Sequence, residues 1–454
     1  MRLNKIIQRD YTSFSLYYQI KLPLDLEISI PSDDPVRLVS AFVEEMDLSE
    51  LYKTYGRIRK HQATPRQMLK LVIYAAMNRI YSSRDIRKAC KRDINFMYLL
   101  EGMPAPDHAT IARFISLHFS VCAKALLAQM SDLLYLLGEI SGKTIFIDGT
   151  KIESVANKYI FVWKRAITKN QVRLYTKLSS FVAECEELYG IKMVYHDRIS
   201  IHTLKRLKKQ LCRIKVREGI VFVHGIGRRK TQLQKSLEQL DQYLEKLKEY
   251  TKKLYALGDR NSYSKTDPDA TFMRMKEDAM LNGQLKPAYN IQHGVDSEYI
   301  TWLDISSHPT DTCTLIPFLK DMDRYLGFKY SEIVADAGYE SEENYLFIEK
   351  NGQTAYIKPQ NYEISKTRKY KKDISRRENM EYHADSDSYI CRNGRELIAT
   401  NERRSKTVSG YVSIKTYYRS SDCTGCPYKT DCIKGNNCKT PMEKRNKVLM
   451  FQRR

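Results

Sequence analysis

Asp148 and Asp336 stand in the same local setting. Each closes a short apolar run rich in β-branched residues, Thr144-Ile145-Phe146-Ile147 and Glu332-Ile333-Val334-Ala335, and glycine follows each within two residues. Such runs read as buried strands. A charge at a strand's C-terminal end stands where α/β sheets bind ligands. Two carboxylates converging from neighbouring strands repel unless a cation lies between them. Mg²⁺ suits that place, because it is held by one or two carboxylates together with phosphate oxygens. Two such ions ~4 Å apart can activate a water or a 3′-hydroxyl and stabilise the leaving oxygen. The expected chemistry is in-line attack on a phosphodiester. The competing reading is that each aspartate caps the turn that follows it.

The charge pattern bears on the substrate. The chain has 454 residues, 76 Lys and Arg against 54 Asp and Glu, and a net charge of +22. Residues 158–265 carry 25 basic and 10 acidic side chains, residues 266–357 carry 7 and 16, and residues 358–454 carry 23 and 11. An acidic block flanked by basic ones can hold cations at its centre and a phosphate backbone at its sides. Lys205-Arg206, Lys208-Lys209, Arg228-Arg229-Lys230 and the run from Arg368 to Lys372 are candidate phosphate contacts, although charge runs are also ordinary solvated faces.

The surrounding elements must position these groups. The reading divides the chain into residues 1–140, helical; 143–157 with 262–360, an α/β core; 158–261, an inserted basic helical bundle; and 361–454, a basic segment with clustered cysteines. Thr64-Pro65 starts a helix, Ser83 caps a short one, and Pro106-Asp107 starts another. With Arg84, Arg87, Lys88, Lys91, Arg92 and Arg113 at their ends, these helices resemble a helix-turn-helix arrangement or an ordinary helical domain. In the bundle, Leu174, Leu178, Phe181, Cys185 and Leu188 form one narrow apolar seam. Leu204, Leu207, Leu211 and Ile214 form a second, and Leu233, Leu237, Leu240, Leu244 and Leu247 a third. Gly225-Ile226-Gly227 breaks the pattern between the second and third. Tyr289 to His293 and Tyr299 to Ile305 read as adjacent strands, Thr314 to Leu326 as a helix, Ser341 as a helix cap, and Ala355 to Ile357 as a last strand. Residues 361–390 read as an exposed loop.

Ten cysteines in a chain of this length are not a disulfide framework. The spacing Cys423-x2-Cys426-x5-Cys432-x5-Cys438 allows a tetrahedral Zn²⁺ site, with Cys391 able to replace one member, or four free thiols. The stretch MRLNKIIQRDYTSF lacks the apolar centre of a secretory signal. No apolar run approaches the ~18 residues a membrane span needs. A cytoplasmic protein is expected.

Several blocks resemble one family. Asp148-Gly149-Thr150-Lys151-Ile152-Glu153, with Asn157-Lys158-Tyr159 and Trp163-Lys164 after it, resembles the first catalytic block of the DDE transposases of bacterial insertion sequences. Ala335-Asp336-Ala337-Gly338-Tyr339 resembles the second. Tyr81-Ser82-Ser83-Arg84 and Ala105-Pro106-Asp107-His108 resemble the family's N-terminal helical domain, and the stretch from Asn261 to Ala270 resembles the return into its core. The resemblance runs from about residue 35 to 447. It implies a ribonuclease-H-like mixed α/β core, two divalent cations (Mg²⁺ or Mn²⁺), cleavage of element ends in double-stranded DNA, strand transfer into target DNA, and a homodimer on DNA. Asp148 and Asp336 take its first two acidic roles.

The family's third acid is a Glu on a late helix, and no matching stretch occurs before Arg454. The expectation is a copy that ends early, impaired in cleavage, with the surface near Ile145, Ile147 and Val334 less well covered. Glu396 and Glu443 are the late acids that remain, and neither has the family's surroundings. Glu340, Glu342 and Glu343 follow Asp336 too closely. Three functions stay open: a metal-dependent DNA strand-transferase, a non-catalytic DNA-binding remnant, and a divalent-metal nuclease.

Overall fold

The computed structural model describes residues 30–57, 61–195, 198–225, 227–275, 283–407, 409–435, 438 and 440–453. The N-terminal stretch quoted above, Ile226 and Arg454 lie outside them. Contacts divide the chain into two units, one holding residues up to Ile140 with Asp323–Phe328, the other Ser141–Met322 with the chain from Lys329 onward.

Seven helices build the first unit among the described residues: α1 (Pro35–Glu45), α2 (Ser49–Lys53), α3 (Pro65–Met77), α4 (Ser83–Arg92), α5 (Ile94–Leu100), α6 (His108–Arg113) and α7 (Ser120–Leu136), the last two joined by a π-helical turn, Phe114–Phe119. The Thr64 hydroxyl accepts from the Gln67 N–H and the Gln67 side chain accepts from the Thr64 N–H. This reciprocal cap satisfies two end donors and is worth about 1 kcal/mol. Ser83 is not a cap. It is the first residue of α4, and Ser82 before it makes no side-chain cap bond. Val36, Val39, Val43, Leu69, Phe96, Ile111 and Phe114 share one core. Of the basic residues on these helices, Arg87 pairs with Asp107 and Lys88 with Asp85.

The π turn joins α6 and α7 into one helical stretch, His108–Leu136, which is long and apolar enough by length and composition to cross a membrane. Sequence runs broken by Arg113, His118, Lys124 and Asp132 hid it. Its Ile111, Phe114, Cys122 and Leu126 belong to the core just described, while Leu117, Val121 and Leu136 on the same stretch are exposed.

In the second unit β1 (Thr144–Glu153) leads through β2 (Phe161–Trp163) into three helices, α8 (Lys164–Tyr189), α9 (Ile201–Arg217) and α10 (Gln232–Leu257), and β3 (Ser262–Ser264) returns beside β2. The three seams meet in one core that includes Leu178, Leu207 and Leu240. Leu188 alone of the named seam residues is exposed, at the end of α8.

The strands β4 (Thr271–Arg274), β5 (Leu285–Asp296), β6 (Tyr299–Ser306), β7 (Glu332–Ala335) and β8 (Thr354–Ile357) complete a six-stranded mixed sheet. One edge of β5 pairs antiparallel with β1, and β6 and β4 pair with its other edge. β1, β7 and β8 run parallel. Alternation along β1 buries Ile145, Ile147 and Gly149 and exposes Phe146, Asp148 and Thr150. The buried face is covered by α11 (Leu315–Tyr325), through Leu315, Phe318, Leu319 and Met322, and by α12 (Glu342–Lys350), through Ile348. A methyl on Gly294 would stand 2.6 Å from Ile145 Cδ1 and 3.0 Å from Phe318 Cζ, so the close approach of α11 needs glycine there. Ile145 and Ile147 are therefore fully covered, against expectation. The open face is the opposite one, where Phe146, Ile300, Ile305 and Tyr356 are about half exposed. The sheet's period of two places neighbouring residues on opposite faces.

Residues 361–390 are not a plain loop. They contain α13 (Tyr362–Ser365), α14 (Arg368–Lys371), β9 (Glu381–His383) and β10 (Ser388–Ile390). With β11 (Glu396–Lys406), β12 (Val412–Ser420) and β13 (Val448–Arg453) these strands form a second, antiparallel sheet in the order 13-12-11-10-9. Its small core is Tyr389, Leu397, Tyr418 and Leu449.

Candidate functional site

β1 and β7 pair in parallel register up to Ile147 opposite Ala335. The next residue on each strand is an acid. Asp148 does not end its strand, as the sequence implied: β1 continues to Glu153, because β5 stays paired with it that far. What ends at Asp148 is the parallel pairing, since β7 turns away at Asp336 into a single 3₁₀ turn, Ala337–Tyr339. Both aspartates are exposed. Their matched register places them side by side on the open face of the sheet. Each uses one oxygen locally. Asp148 Oδ1 accepts from the Gly149 N–H and Asp336 Oδ1 from the Gly338 N–H, each at 2.8 Å. Asp336 thus caps the 3₁₀ turn after it, whereas Asp148 bonds its neighbour within the strand, and both side chains stay exposed. His293 is the cross-strand partner of Asp148 on β5.

Beneath this pair lies a buried polar layer that the sequence did not single out. Asn290, Gln292 and Tyr339 are fully buried. The Tyr339 hydroxyl donates to Gln292 Oε1. Asn290 Nδ2 donates to Asp311 Oδ1 at 2.7 Å and to the His308 carbonyl at 3.2 Å. Gln292 Nε2 and Asn290 Oδ1 have no hydrogen-bond partner among the described residues. Burial pushes the Tyr339 phenol far up, and the neighbouring charges of Asp311, Asp148 and Asp336 push it the same way. Asn290 and Gln292 alternate with Ile291 along β5, so period two alone carried a signal of a polar buried face. Asp311, in the loop before α11, carried none.

The two glycines that follow the acids make room for this layer. A methyl on Gly149 would stand 2.9 Å from Gln292 Nε2, 3.0 Å from Asp311 Oδ1 and 3.1 Å from the Tyr339 hydroxyl. One on Gly338 would stand 2.9 Å from Asp336 Oδ1 and 3.0 Å from Asp311 Oδ2.

The remaining acids named from the sequence lie elsewhere. Glu396 opens β11 and Glu443 sits in an exposed turn, Met442–Lys444. Glu343 accepts from the Ser409 hydroxyl at 2.8 Å, and Glu340 from the Gln360 N–H at 2.6 Å. Among the described residues no three His, Cys, Asp or Glu side chains gather closely enough to hold a metal ion.

The same holds for the cysteines, all ten of which are free. Burial raises the Cys432 thiol, Lys447 opposes this, and Cys391, Cys423 and Cys426 add to it. Cys438 is exposed, and bonds from Thr440 hold its thiol low. The thiols that neighbour one another therefore include Cys391 and leave out Cys438. The Lys447 N–H donates to Cys423 Sγ at 3.3 Å, and its buried ammonium donates to the Cys432 carbonyl at 2.8 Å.

In the helical bundle Lys205, Arg206, Arg228 and Arg229 are exposed. Lys208 pairs with Asp241, and Lys230 with Glu238 at 2.7 Å, so these two are partly spent on the bundle itself.

Comparison with known families bears on both units. Residues 24–117 match a family described as a transposase domain (DUF772), and residues 260–421 match a transposase DDE domain. The second match spans Asp311 and Asp336. No curated protein and no solved structure matches the chain. A mixed α/β sheet bearing two in-register acids, with both of these domains, defines a transposase of the DDE class. The chain belongs to the DDE transposases of the insertion-sequence type.

Proposed function

We propose that this protein cleaves DNA at insertion-sequence ends and transfers the freed strand to target DNA, with a divalent cation held by Asp148 and Asp336. The observation that carries this is their placement one residue beyond the Ile147–Ala335 pair on adjacent parallel strands, exposed on the same face. The strand arrangement, β6-β5-β1-β7-β8 with the last three parallel, supports a ribonuclease-H-like core.

The donor set fits Mg²⁺ or Mn²⁺. It consists of hard carboxylate oxygens, two in number, leaving positions for water and phosphate oxygens. When bound, such ions lower the pKa of a water or 3′-hydroxyl and neutralise the leaving oxygen. The chain's own part is to hold two oxygens outward. The N–H groups of Gly149 and Gly338 fix the other oxygen of each acid, and the buried face packs against α11 and α12.

DNA approaches along cationic faces, of which Lys205, Arg206, Arg228 and Arg229 on the bundle are the clearest. A homodimer on DNA and a cytoplasmic location belong to the same proposal. Zn²⁺ on Cys423, Cys426 and Cys432, with Cys391 in place of Cys438, is a separate proposal; the N–H donated to Cys423 Sγ supports it, and the thiols would have to draw closer to hold the ion.

The test is Mg²⁺-dependent nicking of end-bearing double-stranded DNA. Activity abolished by Asp148→Ala and by Asp336→Ala is expected. DNA binding without nicking, unaffected by either change, would favour the second reading, a non-catalytic DNA-binding protein. What keeps that reading open is that, among the described residues, no three acids, histidines or cysteines converge on a common ion position.

A further inference from the structure

Among the described residues, Asp311 brings a carboxylate oxygen close to both Gly149 and Gly338, the glycines that follow the two acids. Its Oδ1 lies 3.0 Å from the point where a methyl on Gly149 would sit, and its Oδ2 lies 3.0 Å from the corresponding point on Gly338. It occupies the space those two glycines leave, between the stretch of β1 carrying Asp148 and the turn after Asp336. Asn290, fully buried, holds its Oδ1 at 2.7 Å. Thr314 fixes its backbone, donating to the Asp311 carbonyl from both N–H and hydroxyl at 3.0 and 2.8 Å. Alongside, Gln292 keeps an unpartnered, fully buried Nε2 2.9 Å from the Gly149 methyl position.

Three carboxylates so placed carry three negative charges. Among the described residues no Lys or Arg pairs with any of them. Like charges at such range disfavour one another unless cations compensate. Two divalent ions carry four positive charges, which balances three carboxylates and one phosphodiester. With Asp148 and Asp336 alone the same assembly would carry one excess positive charge.

We infer that Asp311 is the third acid of this site, a positioning residue that braces β1 at Asp148 and the turn at Asp336 and supplies the charge that lets divalent ions bind there. This rests on the reading of Asp148 and Asp336 as metal ligands. Asp311 itself acts through them, from the buried side of the sheet.

The experiment is calorimetric titration of the full chain with Mn²⁺, without DNA, comparing the unmodified protein with Asp311→Asn, Asp148→Asn and Asp336→Asn. Asparagine at 311 keeps the shape and the acceptor for Asn290 but removes the charge. Loss of one charge several ångströms from a divalent ion weakens binding by on the order of tenfold or more. Asp311→Asn should show that loss with an unchanged melting temperature, and Asp311→Glu should recover part of it. A purely structural role would move melting and not Mn²⁺ affinity. If Asp311→Asn does not fold, Asp311→Ser, smaller and still able to accept from Asn290, gives the same reading. Unchanged affinity in the position-311 variant, with Asp148→Asn weakened, overturns the role of Asp311 and leaves the two-acid site standing. Unchanged affinity in all three would sink the metal site itself.

Discussion

Gly149→Ala is the sharpest probe of how the site is built. Gly149 lies inside β1 with extended backbone, so alanine meets no conformational penalty there, and any effect comes from the added methyl alone. That methyl meets Gln292 Nε2, Asp311 Oδ1 and the Tyr339 hydroxyl within 3.1 Å. Gln292 and Tyr339 are fully buried, and the bond between them leaves neither free to turn away. Overpacking of this kind costs about 1–3 kcal/mol, or a few degrees in the melting midpoint of the second unit. Relief by shifting β1 would displace Asp148, its chain neighbour, and a misplacement of ~1 Å in a reacting group costs about a hundredfold in rate. The assay pairs thermal denaturation with Mg²⁺-dependent nicking. Gly56→Ala, at a glycine with open space around it, serves as the neutral control. A Gly149→Ala protein that melts and nicks like the unmodified chain would refute the packing argument and with it the buried layer as the site's support.

Other outcomes follow from the same geometry. Replacing Lys205, Arg206, Arg228 and Arg229 by Ala should flatten the salt dependence of DNA binding by about 0.9 per lost phosphate contact in log–log slope; an unchanged slope would mark that face as merely solvated. Lys230→Ala alone should change the slope little, because Lys230 already pairs with Glu238. Asp267 is half-buried; burial raises its carboxyl, but hydroxyls from Ser154 and Tyr289 outweigh this and hold it below its ordinary value. Its contribution is present above about pH 4 and is lost as pH falls through the lower folded value. Asp267→Asn should therefore reduce the acid sensitivity of melting, and melting curves from pH 5 to 2 that keep the same slope would exclude the effect. Tyr339→Phe leaves Gln292 with two unmet groups and should cost about 1–3 kcal/mol, read by denaturant midpoint.

Local sequence determined what depends on near neighbours. Helical seams such as Leu233 to Leu247, the helix start at Thr64-Pro65, the apolar runs before Asp148 and Asp336, and the pairing of β5 with β6 were all legible, because period and turn chemistry act within a few residues. Composition announced a polyanion-binding chain, and the acidic blocks pointed to the family that the domain matches bear out. The helical stretch through Phe114–Phe119 was hidden by its charges, and the second sheet by a polar, lysine-rich start with little apolar alternation.

Only the tertiary structure decided the rest. Which face of the sheet lies open depends on where α11 and α12 pack, and Gly294 settles that by admitting Phe318 against Ile145. Asp311 lies 163 positions beyond Asp148 in the chain, at the start of a short 3₁₀ turn with no periodicity, and only the return of that segment beneath β1 brings it between Gly149 and Gly338. The glycines of Asp-Gly and Asp-Ala-Gly look like ordinary turn residues in sequence. Their reason is the half-buried Asp311 carboxylate behind them, a contact between distant segments that no local pattern encodes.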